Sequence, residues 1–275
     1  MHRNRTSRTL IAFVSTVVVA LGQQPVVPNF YRADFIKTKP GKQAEYLDFL
    51  KKNVTAITQS QIKSGKLLGW GLGSVFTPTG SSEEHNLLGL YAYTNWENLE
   101  PSNDPPPDIT ATFKSLGFSS IQEYAAKRDP LRDIVRSEIW RRVAGTAATL
   151  ENAPKPGDWV VVSYLKTAPG KAADYDKIWK SYSLPILEDR AKGGKLKSYS
   201  MWSVGGGGTE AKYNRVSLAR YGSFKDLGPT DGTSDLDEAA EKIHAGKDWR
   251  QMRRDMAALR DLYRGELIQV KISVR

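Results

Sequence analysis

Two spacings of apolar residues organise the chain. In "NFYRADFIKT" (29–38) and "DWVVVSYLKT" (158–167) aromatic and β-branched residues dominate, the composition that suits a pleated, half-buried strand. Alternate positions carry Tyr31, Ala33 and Phe35 in one stretch and Val160, Val162 and Tyr164 in the other. A Pro-Gly step then interrupts each run. Beyond it the period lengthens to that of a helix, with Tyr46, Leu47, Leu50, Val54 and Ile57 in the first case and Tyr175, Ile178, Trp179, Tyr182 and Ile186 in the second. Pro185 is expected to kink the second of these helices or to start a new turn. "LLGWGLGSVF" with "NLLGLYAYT", and "LKSYSMWSV" with "NRVSLARYG", read as hairpins, while "EPSNDPPPD" (100–108) reads as irregular loop. Each half then predicts a second helix ending in "LRDIVR" or "LRDLYR", restarted in the first half at Pro130 with Asp129 as cap. The last strands are "SEIWRRV" and "GELIQVKISV".

The two halves also match residue by residue. "LRDIVRSEIW" (131–140) returns 128 residues later as "LRDLYRGELI" (259–268) with five identities, and "KTKPGK" (37–42) returns as "KTAPGK" (166–171) at a spacing of 129. "SGKL" (64–67) answers "GGKL" (193–196), and "NWENL" (95–99) answers "SFKDL" (223–227). One residue is lost between these blocks, where "FTPTGSSEEH" faces "GGGGTEAKY", and single-residue changes of this kind are tolerated best in exposed turns. Matched blocks in one order imply an internal duplication.

The expected fold is therefore α+β: two tandem ferredoxin-like βαββαβ units. Each unit would have helices on one sheet face and an apolar second face, which a lone unit would leave exposed. Packing the two sheet to sheet gives a fused pseudo-dimeric α+β barrel. The expected boundaries are a signal peptide over 1–22, a first repeat over 23–143, a linker over 144–157 and a second repeat over 158–275. With this element order, the "PGK" after the first strand and the helix-to-strand ending, the chain resembles the dimeric α+β barrel superfamily. That group includes antibiotic-biosynthesis-type and haem-degrading monooxygenases and EthD-like, NIPSNAP-like and chlorite dismutase proteins. The resemblance implies a ligand pocket between sheet and helices, but one fold hosts many functions.

Composition adds location and narrows the partners. "MHRNRTSR" is basic, "LIAFVSTVVVAL" (10–21) is apolar, and "ALG" (20–22) offers small residues at a cleavage site. This pattern predicts a secretory signal peptide and a secreted or periplasmic protein, the apolar run being too short to span a bilayer. The rival reading keeps it as an anchor. The chain has no Cys, so an exported protein without disulfides must rely on its core. Its formal charge of +10 falls to +7 without residues 1–22. The remaining charge is scattered and lacks an aromatic-interleaved basic run, so nucleic acid is not an expected partner. No membrane partner is expected after cleavage, and further self-association is left open.

Candidate chemistry is sparse. No Ser-His-Asp set, Cys nucleophile or dinucleotide fingerprint is visible, and no cofactor or metal is expected. "GGGG" (205–208) connects two strands and opens no helix, so it is not a phosphate loop. Through the resemblance, the Asn that haem-degrading relatives place along the first strand falls on Asp34 here and on Ser163 in the second half. Asp34 could serve as a general base, or be a carboxylate paired with Arg32 or Arg136. His85, beside Glu83 and Glu84, reads as an exposed hairpin residue, the lesser alternative being that the three form a metal site. His244 is a second catalytic candidate, or else a surface or helix-cap residue. Arg136/Glu138 and Arg264/Glu266 recur in both halves and read as structural ion pairs. Aromatic residues such as Trp70, Tyr91, Tyr93, Trp96, Trp140 and Tyr221 read mostly as core. Divergence between the halves, with Tyr91 set against Arg220, suggests one pocket, in the second half, using Ser163, Arg220, Tyr199 and Trp202 to bind a small apolar or aromatic ligand. The alternative is a cofactor-independent monooxygenase acting on a small aromatic substrate.

Overall fold

A computed structural model describes residues 27–79, 84–100, 107–146, 154–205, 211–228 and 233–275. The signal-peptide segment, residues 147–153 of the linker, most of "GGGG" and Glu83 lie outside these. The first half runs β1 (Phe30–Thr38), α1 (Gln43–Phe49), a π-helical turn (Leu50–Val54), α2 (Thr55–Lys63), β2 (Gly69–Thr79), β3 (Leu87–Tyr93), α3 (Pro107–Ser115), α4 (Ile121–Arg128) and β4 (Arg132–Gly145). The second half repeats the order: β5 (Trp159–Thr167), α5 (Ala172–Lys192), β6 (Ser198–Val204), β7 (Arg215–Tyr221), α6 (Thr233–Ile243), α7 (Trp249–Ala258) and β8 (Arg260–Val274).

All eight strands pair antiparallel and close into one barrel in the order β1-β3-β2-β8-β5-β7-β6-β4. The runs β4-β1-β3-β2 and β8-β5-β7-β6 are the same arrangement twice. They are joined at their edges by β2–β8 and β4–β6. The expected sheet-to-sheet stack is thus also an edge-to-edge closure, which satisfies backbone groups that open edges would leave unpaired. Phe35, Trp140, Val162, Tyr164, Trp202 and Val216, each at most 1% exposed, fill the barrel. The alternating residues Tyr31, Ala33, Phe35, Val160, Val162 and Tyr164 all face this interior cluster. Burying each large side chain there contributes about 1.5–3 kcal/mol relative to exposure. The intervening positions face outward under the helices.

Local devices recur in matched pairs. Asn86 and Asn214 each hold the end of the first strand of their half, through Thr38 and Thr167, by both backbone N–H and side-chain hydroxyl. Gly41 (φ +72°) and Gly170 (φ +73°) make the turn after each first strand, a left-handed conformation that favours glycine. A bulge follows Phe35 in the β1–β4 ladder and Tyr164 in the β5–β8 ladder.

Several expectations need correction. The repeated decapeptide is almost wholly strand: β4 begins at Arg132 and β8 at Arg260, and only a 3-10 turn over Asp129–Leu131 precedes the former. Ladder bonding to β1 and β5 outweighs the helical appearance of "LRD". Pro185 lies inside an unbroken α5. Buried Tyr175, Trp179, Tyr182 and Ile186 anchor this helix on both sides of the proline, offsetting a cost of about 3 kcal/mol. α3 starts at Pro107, within the segment read as loop. Trp96 is 61% exposed, edge-on to Phe30, rather than core.

Candidate functional site

A cavity of about 440 Å³ lies in the first half, between the outer face of β1, β3 and β2 and the helices α1 to α4. The alternation of β1 places Arg32, Asp34 and Ile36 on its floor, with Tyr91, Tyr93 and Trp70 beside them. Leu50 and Val54 of the π-helical turn and Phe113 of α3 form its apolar roof. π turns widen a helix locally and are frequent at functional sites. Arg128, Arg132 and Lys66 also line it, as do Glu97 and Glu100.

The floor is a compact polar set. Asp34, 4% exposed, accepts from Ser137 Oγ at 2.7 Å and pairs with Arg32 Nη2 at 3.3 Å. The Arg32 guanidinium lies 4.2 Å from the Tyr91 ring centroid, a cation–π arrangement. Burial alone would lower the pKa of Arg32; Asp34, Tyr91 and Tyr93 outweigh it and raise the value, so the cation persists. Burial likewise raises Tyr46, Tyr91 and Tyr93 and pushes Tyr124 up to about 12. All four are neutral phenols at physiological pH and keep their O–H donors. Trp70 Nε1, Arg32 Nε and Arg132 Nε are buried without a hydrogen-bond partner. Unpaired buried donors of this kind are uncommon and costly.

The matched ladders show which parts of this set are peculiar to the first half. Arg32 pairs with Tyr91 across β1–β3, and the same rung of β5–β7 joins Val161 to Ala219. Asp34 and Gly89 correspond in the same way to Ser163 and Ser217. The expected match of Tyr91 with Arg220 is therefore off by one residue: the deletion lies before β7, and Tyr91 answers Ala219. Above the sheet, Leu50 is answered by Trp179, whose ring stacks on Tyr199 at 5.4 Å and 19°. Tyr199 occupies the place that Trp70 has in the first half.

The four expected ligand residues divide between the two faces of the second-half sheet. Ser163 and Tyr199 face the helices, whereas Trp202 and Arg220 face the barrel interior. Trp202 packs on Tyr31 at 4.2 Å and donates to Ser200 Oγ at 2.7 Å. Arg220 is ion-paired with Asp158 at 2.5 Å and donates to Ser198 Oγ at 3.1 Å. Burial lowers its pKa, partly opposed by Asp158. His244 is not a surface residue: 3% exposed, it sits under α5 with Nε2 2.9 Å from the Tyr182 carbonyl and its ring stacked on Tyr182. Asp34 takes Arg32 as its partner, and Arg136 goes elsewhere.

A second polar cluster lies at one end of the barrel. His85 is buried, not exposed. Its Nε2 lies 3.2–3.3 Å from the Glu266 carboxylate, which also accepts from Tyr164 Oη at 2.9 Å and pairs with Arg264 at 2.6 Å. In the matched position, Glu138 accepts from Tyr213 Oη, Trp140 Nε1 and Arg136 Nε at 2.5, 2.8 and 2.8 Å. The recurring Arg–Glu pairs are ion pairs, as their repetition suggested. Glu84 links the sets by contacting both Arg136 and Arg264. Among the described residues no group of three or more His, Cys, Asp or Glu is placed to hold a metal ion.

No protein-family model matches the sequence, and no curated protein does. Solved structures do share its shape. A candidate monooxygenase from Lactobacillus acidophilus superposes with a TM-score of 0.52 at 9% identity, over 90% of this chain and 96% of that one. A candidate monooxygenase from Fusobacterium nucleatum gives 0.53 at 12% identity, over 91% and 95%. Identity this low speaks to fold and not to activity. The chain is an α+β protein built on an eight-stranded antiparallel barrel, with the fold of these two proteins.

Proposed function

We propose that the chain is a tandem duplication of a ferredoxin-like unit that binds a small organic molecule in the first-half cavity. The repeated strand order, the paired Asn–Thr clamps and the paired bulges support the duplication. One observation carries the binding site: scaffold residues recur in both halves, whereas Arg32, Asp34 and Tyr91 give way to Val161, Ser163 and Ala219 away from the cavity. A charged floor that lies beneath a cavity and is not kept at the matched rungs is best explained by a ligand. The cavity volume of about 440 Å³, with an apolar roof over a polar floor, suits a small molecule. Unpaired donors on Trp70 and Arg32 favour a ligand with an accepting oxygen. In this reading the protein is exported, residues 1–22 being its signal.

The test is a titration with anilinonaphthalenesulfonate, an apolar ring system bearing an anionic acceptor. Saturable fluorescence at one equivalent is expected. Arg32→Met should weaken it ten- to hundredfold, since a charge-assisted hydrogen bond contributes about 1.5–3 kcal/mol. Unchanged affinity in that variant would remove the site from this cavity.

A second reading, a cofactor-independent monooxygenase, draws on the shared fold of the two candidate monooxygenases and on Asp34. A carboxylate on the floor could take a proton from an activated aromatic substrate, with dioxygen as the oxidant. Oxygen uptake with an anthrone substrate, abolished in Asp34→Asn, would favour this reading; no uptake in the wild type would leave binding alone.

A further inference from the structure

We infer that the ligand is a flat, indole-sized ring system lying on Trp70, and that the second half carries a built-in stand-in for it. The inference rests on the cavity reading above and adds the ligand's shape. α1–α2 and α5 cover the same length and follow the same turn, so Leu50 and Trp179 occupy one position on the two helices. Leu50 is buried at the roof of the cavity, and Trp70 lies on its floor side. In the second half the Trp179 indole extends from the same helix position and stacks nearly parallel on Tyr199, the residue in Trp70's place. The Tyr199 oxygen also accepts hydrogen bonds from the Trp179 indole and from Ser217.

The same sheet-to-helix gap is therefore closed by a planar ring in one half and left open in the other. A ring in the first half would restore the packing that the second half already has, including an aromatic face against Trp70. The unpaired donors on Trp70 and Arg32, whose places Tyr199 and Val161 take in the second half, would then meet a polar atom on the ligand that indole itself does not offer.

Isothermal titration with indole, and with decanol as a chain-shaped comparison, tests this. One equivalent of indole should bind the wild type more tightly than decanol does. Leu50→Trp installs the second half's own side chain and should reduce indole binding at least tenfold, with a melting temperature no lower than wild type. Trp179→Leu gives the second half the first half's residue and should raise the indole stoichiometry from one to two. If decanol binds and indole does not, the ring inference is wrong while the cavity reading stands. If neither binds and anilinonaphthalenesulfonate is also indifferent to Leu50→Trp, the cavity reading itself fails. Should Leu50→Trp not fold, a single indole equivalent in Trp179→Leu overturns the stand-in.

Discussion

Tyr164→Phe removes one oxygen from the barrel end and isolates a single buried interaction. Tyr164 is 1% exposed, and its hydroxyl donates to Glu266 at 2.9 Å, inside a site where neither group meets water. Packing should hardly change, because the matched position on β1 is already a phenylalanine, Phe35, itself fully buried beside Trp140 and Tyr164. There Glu138 takes its extra hydrogen bond from Trp140 Nε1 instead. The cost in Tyr164→Phe is then one hydrogen bond to a charged acceptor, about 1.5–3 kcal/mol. His85 and Arg264 still hold Glu266, which places the expected loss at the lower end, about 1.5–2 kcal/mol. For a protein of this size each kcal/mol moves the melting temperature by about 2–4 °C, so calorimetry should register a drop of about 3–8 °C. Tyr164→Phe combined with Glu266→Gln should lose less than the two single changes summed, because both act on one contact. A melting temperature within about 1 °C of wild type, or strict additivity of the pair, would refute this account of the barrel end.

Other consequences are open to measurement. Burial would raise the pKa of Glu266, but the His85 hydrogen bond and charge, Arg264 and Tyr164 outweigh it and the value is lowered. A depressed carboxylate stabilises the fold above its unfolded pKa and loses that contribution as pH falls through the folded one. Acid unfolding curves below the ordinary carboxylate range should therefore be shallower in Glu266→Gln than in wild type. Gly145→Ala would place a Cβ 2.4 Å from the Tyr199 carbonyl and 2.7 Å from the Ser200 Cα at a φ of +156°; urea titration should show a loss of about 1–3 kcal/mol, since backbone cannot move aside cheaply. Asp158→Ala strips the buried Arg220 of its carboxylate and should cost about 3–5 kcal/mol, more than deleting an exposed pair such as Lys39–Asp133. Ser120→Ala removes the N-cap oxygen that accepts from Glu123 N and should cost about 0.5–2 kcal/mol by the same titration.

Much of the scaffold could be read from local pattern. Tyr31, Ala33 and Phe35 face inward and Arg32 and Asp34 outward because a strand turns its side chains over at every residue. The helical period similarly found the buried Tyr175, Trp179, Tyr182 and Ile186. The first-half cavity is less legible. Arg32 reads from sequence only as a partner for Asp34, and Leu50 set against Trp179 is a size difference that sequence alignment displays but does not translate into empty space. The one-residue slip before β7 also misassigned Tyr91 to Arg220, and a one-residue error moves a strand residue to the opposite face.

What the sequence determined by itself was the order of elements and the inward or outward sense of strand residues, since both follow from backbone geometry within a few positions. It also carried the recurrence of Arg136–Glu138 and Arg264–Glu266. Tertiary structure decided the rest: the edge-to-edge closure through β2–β8 and β4–β6, the burial of His85 against Glu266 from 181 residues away, and the cavity between the first-half sheet and its helices. Those outcomes depend on volumes and polar partners brought together from distant parts of the chain, and no local period records them.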